Sequence, residues 1–138
     1  LLDYFSLLVR YYRPHVILLE STDRMAHQLI DLPSNATLLA SVFDRHSRMV
    51  ESVLRMFHER DMTTILLTNR SSTPMRRHAD HVLLVASEAS TAFRSRVCYL
   101  ILLESLVAAL APSDPDVERD RVRAMQGLFD DLGVFITP

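Results

Sequence analysis

The chain has 138 residues, 49% of them apolar, and a formal net charge of −2 at pH 7. This length and apolar content are sufficient for one domain with a sizeable core. The weakly acidic balance gives no overall attraction for nucleic acid or an anionic membrane, which argues against a DNA-binding surface within these residues. The single cysteine, Cys98, excludes an intrachain disulfide and favours the cytosol as the compartment.

The most apolar stretch runs from Val97 to Ala111 and contains Glu104. Because it is shorter than the roughly 20 residues that cross a bilayer, we expect it to be buried in the domain and expect no membrane partner. No signal peptide is recognisable. The sequence opens at Leu1 directly on a helical pattern and without an initiator methionine, so we interpret it as a piece of a longer chain.

The N-terminal segment predicts two helices on either side of a strand. Leu1 to Tyr12 places its apolar residues on one helical face. His15 to Leu19 has the length and composition of a strand. Asp23 to Leu32 predicts a short helix, for which Ser21 or Thr22 is the expected N-cap.

A strand, a polar loop and a helix follow in direct succession. Thr37 to Phe43 predicts a buried strand, and Val50 to Phe57 carries apolar residues at helical spacing. Ser47 is the expected N-cap of that helix, whose first N–H groups attract anions, with Arg45 and Arg48 close by. The alternative is that Ser47 only caps the helix and the arginines are solvated, and these residues alone favour it.

Two further strands enclose a short helix. Met62 to Thr68 and His81 to Val85 are apolar runs of strand length. Between them, Thr73 and Pro74 predict the N-cap and first residue of a short helix that ends at Ala79.

Two helices complete the chain. Ala92 to Ala111 is apolar nearly all round, which predicts burial on more than one side, and another subunit is the simplest second cover. A last helix begins at Pro115, with Ser113 or Asp114 as its cap, and ends at Gly133. Its predicted apolar stripe consists of Val117, Ala124, Met125, Leu128 and Leu132.

This alternation of strands and helices predicts an α/β fold with a doubly wound parallel sheet. In such sheets ligands bind beyond the carboxyl ends of the strands, where this sequence places hydroxyl groups and arginines that suit a phosphate group. The same residue types also serve as turns and caps, so the residues alone leave both interpretations open. These candidates are Ser41, Arg45, Ser47, Arg48, Thr68, Arg70, Ser71, Ser72 and Thr73.

Several kinds of site are absent from the sequence. The two glycines, Gly127 and Gly133, both lie near the end, which excludes a Walker A loop and a GxGxxG dinucleotide motif. The six histidines show no recognised metal spacing, so we expect neither a metal nor a cofactor. Glu20 and Glu104 are the acids in suggestive positions, and neither is a convincing catalytic acid or base.

Two stretches together resemble the sugar isomerase (SIS) domain, in particular the version found in RpiR-family transcriptional regulators. Ala40 to Arg48, ASVFDRHSR, is similar to the family's loop of serine, aromatic, arginine, aromatic, serine and arginine residues after a strand. Thr64 to Val85 resembles a strand that ends in threonine, a serine-proline-like helix start, an alanine-aspartate pair and an apolar strand. Ser95 to Leu110 is similar to the family's leucine-rich helix.

The resemblance implies a flavodoxin-like SIS fold that lacks its first strand in this chain, and a cytoplasmic regulator that is not an enzyme. It implies a sugar phosphate as effector and a homodimer or tetramer formed through the Ala92–Ala111 helix. DNA would be contacted only through a helix-turn-helix domain upstream of Leu1. The phosphosugar-binding residues that it implies are Ser41, Arg45, Ser47, Arg48, Thr68 and Ser72.

The chain departs from the family pattern in the first loop. Many SIS domains carry a serine-x-serine-glycine-x-threonine motif there, whereas Met49 and Val50 follow Arg48 in this sequence. We therefore expect weak or altered phosphate binding, in which Arg45 and Ser47 substitute through charge-assisted contacts. Two alternatives stay open: a sugar-phosphate isomerase, and a dimerisation domain that binds no ligand.

Overall fold

The computed structural model describes residues 1–20, 23–43, 45–88 and 94–135, and three strands in these residues form one sheet. They are β1 (Leu38–Val42), β2 (Thr64–Thr68) and β3 (His81–Leu84), paired in parallel in the order β1-β2-β3. Val42 is paired with Thr68, and Thr68 with Leu84, so the three strands end at the same edge. The predicted open parallel α/β sheet is confirmed.

Five α-helices and one 3₁₀ helix lie in the described residues. The chain divides into two compact units, one of Leu19–Tyr99 and one of Leu1–Leu18 with Leu100–Pro138. The helices are α1 (Leu2–Arg10), α2 (Arg24–Ile30), α3 (Arg48–Glu59), the 3₁₀ helix Pro74–His78, α4 (Val97–Leu110) and α5 (Pro115–Asp131).

The core of the Leu19–Tyr99 unit lies between the sheet and α3. Every second residue of β1 is buried, and these residues, Leu38, Ala40 and Val42, belong to one cluster with Leu54 and Phe57 of α3. The alternation follows from the period of two residues along a strand. Full burial of a leucine side chain such as that of Leu54 contributes about 1.5–3 kcal/mol. The apolar stripe predicted for α3 therefore forms much of this core.

A hydrogen-bond network at Thr64 joins the start of β2 to the residue before β3. The N–H of Thr64 donates to Asp80 Oδ2 at 2.7 Å, and Thr64 Oγ1 accepts from the Asp80 N–H at 3.0 Å. Thr64 Oγ1 also lies 2.7 Å from Asp80 Oδ2 and 3.0 Å from the His78 carbonyl oxygen, to one of which it donates. The side-chain and backbone hydrogen bonds from Thr64 lower the pKa of Asp80 below its ordinary value. The carboxylate therefore stays ionised and holds the two strands in register.

Ser47 caps the N-terminus of α3, as predicted. Its backbone is extended, with φ −93° and ψ 120°, and its Oγ accepts from the N–H of Val50 at 3.5 Å. Glu51 in the first turn adds a negative charge at the positive end of the helix dipole. The helix begins at Arg48 because the cap satisfies one of its unpaired N–H groups.

The unit of Leu1–Leu18 and Leu100–Pro138 is helical. Tyr4 Oη of α1 donates to Glu104 Oε1 of α4 at 3.3 Å. The Arg121 guanidinium of α5 donates two hydrogen bonds, of 3.2 and 2.9 Å, to the Arg10 carbonyl oxygen at the end of α1. Such a contact satisfies a carbonyl that has no partner within its own helix.

The strand predicted at His15 to Leu19 is wrong. These residues have no regular secondary structure, and His15 has a φ of 60°, in the left-handed region. A strand forms only when its backbone groups find a neighbouring strand, and within the described residues β1 is paired with β2 alone. The apolar composition of the segment is explained in part by Leu19, which packs against the core cluster as irregular chain.

The helix predicted at Ala92 to Ala111 begins later. Residues 94–96 are not helical, and α4 starts at Val97, whose N–H donates to Ser95 Oγ at 3.3 Å. The predicted start at Ala92 lies outside the described residues, as do the N-caps expected at Ser21 or Thr22. Tyr99 and Leu103 of α4 are buried, whereas Ile101 is 57% exposed.

The apolar stripe predicted for α5 is wrong in part, since Val117, Ala124, Leu128 and Leu132 are exposed. The half-buried face instead contains Glu118, Val122, Met125 and Phe129. Both sets recur at helical spacing and both contain apolar residues, so periodicity alone did not distinguish them. Asp114 is the N-cap, and Gly133 has a φ of 61° just after the helix, as expected.

No single helix in the described ranges is long and apolar enough to cross a membrane. Only α4 and α5 taken together, which are bent by 112° at their junction, reach that length and composition.

Replacing Thr64 with valine is expected to lower the free energy of unfolding by about 1–3 kcal/mol, because it removes a buried hydroxyl that is hydrogen-bonded to Asp80. Denaturant titration followed by circular dichroism measures the change. The matched control is Thr63→Val at the exposed neighbouring position, which should change stability by less than about 0.5 kcal/mol. Equal losses in the two variants would contradict the role given to this hydroxyl.

Removing the cap with Ser47→Ala is expected to cost about 1 kcal/mol of stability, and Ser47→Asp should retain it because aspartate is an equally good N-cap. Thermal and denaturant unfolding of both variants test this. Ser52→Ala, on the exposed side of the same helix, serves as control. A Ser47→Asp variant as unstable as Ser47→Ala would rule out capping as the reason.

Candidate functional site

Three loops leave the carboxyl ends of β1, β2 and β3 side by side, and we give the name strand-end loops to their described residues, which are 43, 45–47, 69–73 and 85–88. Hydrogen bonds connect them, since His46 Nδ1 of the first loop lies 3.5 Å from Thr73 Oγ1 of the second. Asn69 Nδ2 of the second loop donates to Ser87 Oγ of the third at 2.7 Å. Thr73 and Ser87 are both buried. The predicted ligand edge is therefore a connected surface built on buried polar side chains.

Four of the six predicted site residues are exposed at this edge: Arg45, Ser47, Arg48 and Ser72. The Arg45 N–H donates to the Phe43 carbonyl oxygen at 2.6 Å. Ser47 and Arg48 are the cap and first residue of α3. The structure therefore places two exposed arginine residues at the N-terminal, positive end of a helix, an arrangement that attracts anions.

The other two predicted site residues have different surroundings. Thr68 at the end of β2 is buried, and its Oγ1 accepts from the Arg70 N–H at 3.3 Å. The Thr68 hydroxyl therefore stabilises the start of the second strand-end loop from inside the protein and is not exposed to solvent. Ser41 lies within β1 and is half-buried. It points to the opposite face of the sheet from Ala40 and Val42.

Ser41 faces an aromatic cluster that the sequence analysis missed. Tyr99 is 4% exposed, and its ring lies 4.8 Å from that of Phe43 between centroids, with the ring planes tilted by 54°. The Arg96 guanidinium carbon lies 4.6 Å from the centroid of the Phe43 ring. The Arg96 and Tyr99 side chains therefore both contact Phe43, the first residue after β1. We call Phe43, Arg96 and Tyr99 the aromatic cluster.

The hydroxyl of Tyr99 is electrostatically unusual. Burial raises its pKa, and the nearby Ser41 hydroxyl and Arg96 charge offset this only in part. Although Ser41 is close enough to exert that effect, the buried Tyr99 Oη has no hydrogen bond of full geometry among the described residues. Burying a hydroxyl group without a good hydrogen-bond partner costs free energy. We therefore expect the Tyr99 hydroxyl to gain a partner when the site is occupied.

Among the described residues, acid and base groups are sparse at this edge. His46 and Glu88 are exposed there, and His46 is engaged by Thr73. Glu104 accepts a hydrogen bond from Tyr4 in the helical unit, and Glu20 is exposed in irregular chain. Within the described ranges, no group of three or more histidine, cysteine, aspartate or glutamate side chains could hold a metal ion.

A pair of histidines lies away from the strand-end loops. The His58 and His78 rings are 5.9 Å apart between centroids, near the starts of β2 and β3. Partial burial, followed by the Arg77 charge and then His58, lowers the pKa of His78. Arg77 is itself bound to Glu51 at 2.9 Å. These contacts join α3 to the 3₁₀ helix, so we assign them to the scaffold.

The geometry agrees with the comparisons to known proteins. A solved structure of an RpiR transcription factor from Sphaerobacter thermophilus (sugar isomerase domain) has a TM-score of 0.79 with this chain at 22% sequence identity. The match covers 90% of this chain and 70% of that chain, and at this identity it shows the fold. No curated protein matches the chain. The family model of the SIS domain matches residues 12–109, more than half of the sequence. The chain therefore belongs to the SIS domain family.

Proposed function

We propose that the chain is the effector-binding and dimerisation module of an RpiR-type transcriptional regulator, and that its effector is a sugar phosphate. The observation that carries this proposal is the exposed, positively charged end of α3 at the carboxyl edge of the sheet. Arg45 and Arg48 stand there beside the cap, and Ser72 lies on the neighbouring loop. The fold shared with the RpiR domain supports it.

The phosphate group would be held mainly by charge. A hydrogen bond to a charged group contributes about 1.5–3 kcal/mol, and the end of a helix dipole about 0.3–1 kcal/mol. Two arginine contacts therefore outweigh the dipole. Arginine also offers paired donors that match two phosphate oxygens at once. This explains how Arg45 and Arg48 could compensate for the glycine and threonine that the first loop lacks.

The sparse acid and base groups favour a binding domain over an isomerase. Isomerisation of a sugar phosphate requires a base held against a sugar carbon. Among the described residues of the strand-end loops, His46 and Glu88 are exposed and neither is oriented by a buried acidic partner. We propose that the effector instead changes the packing between subunits and thereby the spacing of DNA-reading helices in an upstream domain.

Exposed apolar residues support the subunit contact. Ile101 of α4 is 57% exposed, Leu128 of α5 is 60% exposed, and Leu132, just after α5, is 74% exposed. Apolar residues that recur along one side of a helix are typical of an interface. We propose a homodimer or tetramer in which α4 takes part.

Calorimetric titration with a panel of hexose, pentose and N-acetylhexosamine monophosphates should find a ligand with micromolar to millimolar affinity. Arg45→Gln is expected to weaken its binding about tenfold, through loss of a charge-assisted hydrogen bond. Ser47→Asp keeps the cap and adds a negative charge, so it should abolish binding without unfolding α3. Arg55→Gln, in an exposed ion pair with Glu59, is the control. Binding equal to wild type in both site variants would refute these loops as the site.

Sedimentation of the chain should give at least twice the mass of one chain. Ile101→Glu is expected to shift it to the monomer, because a buried unpaired charge at an apolar interface is strongly unfavourable. Ser52→Glu adds the same charge on an exposed face of α3 and should leave the assembly unchanged. An Ile101→Glu variant that is folded and still fully associated would exclude this part of α4 from the contact.

A further inference from the structure

The aromatic cluster presents Arg96 in a defined position beside the first strand-end loop. Phe43 directly follows β1, and its ring has the Arg96 guanidinium 4.6 Å from its centroid. The Phe43 ring is itself held by that of the buried Tyr99, at 4.8 Å. Arg96 is thus fixed at the same sheet edge as Arg45 and Arg48.

Stacking on a ring prepares an arginine for anion binding. A guanidinium has five N–H donors, and a cation–π contact with a ring leaves donors available to an oxyanion. Within the described ranges, Arg96 forms no ion pair with a carboxylate. A side chain that is already ordered loses less conformational entropy on binding than a solvated one. By this criterion Arg96 is better prepared than Arg45 or Arg48, for which the described residues show no ring contact.

The buried Tyr99 hydroxyl is an independent observation at the same place. It lies near Ser41, yet it has no hydrogen bond of full geometry among the described residues. When Ser41 donates its proton to a ligand, its oxygen can accept from Tyr99 Oη. Tyr99 would then act as a positioning residue that holds the Ser41 hydroxyl with its proton directed to the ligand.

The start of α4 belongs to this arrangement. Ser95 Oγ caps the helix at Val97, and the Ser95 N–H donates to the Ser87 carbonyl oxygen of the third strand-end loop at 3.1 Å. The residue that carries the guanidinium is therefore tied on one side to the third loop and on the other to α4.

We propose that Arg96, held on the Phe43 ring, is a ligand-binding residue that takes a phosphate oxyanion, with Tyr99 positioning Ser41 beside it. The ligand's identity as a sugar phosphate rests on the proposed function, whereas the oxyanion contact follows from the cluster itself. Inorganic phosphate presents the same oxyanion without a sugar and separates the two.

The test is titration of the chain with inorganic phosphate and with the sugar-phosphate panel. Arg96→Gln should weaken both about tenfold or more, Phe43→Leu should weaken them less, and Arg96→Lys should restore part of the binding. Tyr99→Phe keeps the ring stack and is expected to reduce affinity a few-fold. Arg119→Gln, on the exposed side of α5, is the matched control.

NMR of the Arg96 Nε–H in the unmodified chain gives a readout that does not depend on a variant folding. Its signal should shift on addition of inorganic phosphate. No shift, together with unchanged binding by a folded Arg96→Gln variant, would overturn the inference and leave the proposed function standing. Phosphate binding through Arg96 with no preference for any sugar phosphate would uphold the inference and overturn the proposed function. If neither inorganic phosphate nor any sugar phosphate binds, the inference and the proposed function are both overturned.

Discussion

The parallel register of three short strands is the constraint on which the rest of the Leu19–Tyr99 unit depends. Because Val42, Thr68 and Leu84 are aligned, the loops that follow them emerge next to one another. A slip by one residue would turn every side chain of a strand to the other face, which would separate Ser41 from Tyr99 and remove Ala40 from the core. The buried Thr64 and its bonds to Asp80 oppose such a slip at the opposite end of the strands.

At the proposed ligand edge, the hydroxyl groups and the arginines differ in whether their side chains are already engaged in hydrogen bonds. Thr68 and Ser47 already use their side chains in a turn and a cap, and Thr73 contacts His46. Hydroxyl groups with such partners lose an existing bond when they turn to a ligand, whereas an exposed guanidinium does not. The edge is therefore better suited to charge-based recognition than to the hydroxyl-lined cradle of the common SIS loop. The absence of that loop's glycine points in the same direction.

Local patterns predicted β1, β2 and β3, the Ser47 cap and the Pro74 helix start, since each depends on neighbours within a few residues. Four of the six site residues that the SIS resemblance implied lie exposed at the carboxyl edge of the sheet. The sequence failed where the outcome depends on distant partners. His15 to Leu19 has strand composition, but the described residues include no strand paired with it. The contact between Phe43 and Tyr99 joins residues far apart in the sequence, so no periodicity could reveal it, although the serine and arginine just before the apolar helix were a usable signal.

Helix α4 gives the proposed regulator a physical basis for its response. This helix begins directly after Arg96, and its first turn contains Tyr99 of the aromatic cluster. Ile101, two residues after Tyr99, has an exposed apolar side chain. A helix transmits a displacement of its first turn along its axis because its backbone hydrogen bonds are continuous. A ligand can shift an assembly only as far as it binds two packings with different affinity. A guanidinium and a tyrosine hydroxyl that both find their best partner in the bound state would supply such a difference at the start of the helix proposed to meet another subunit.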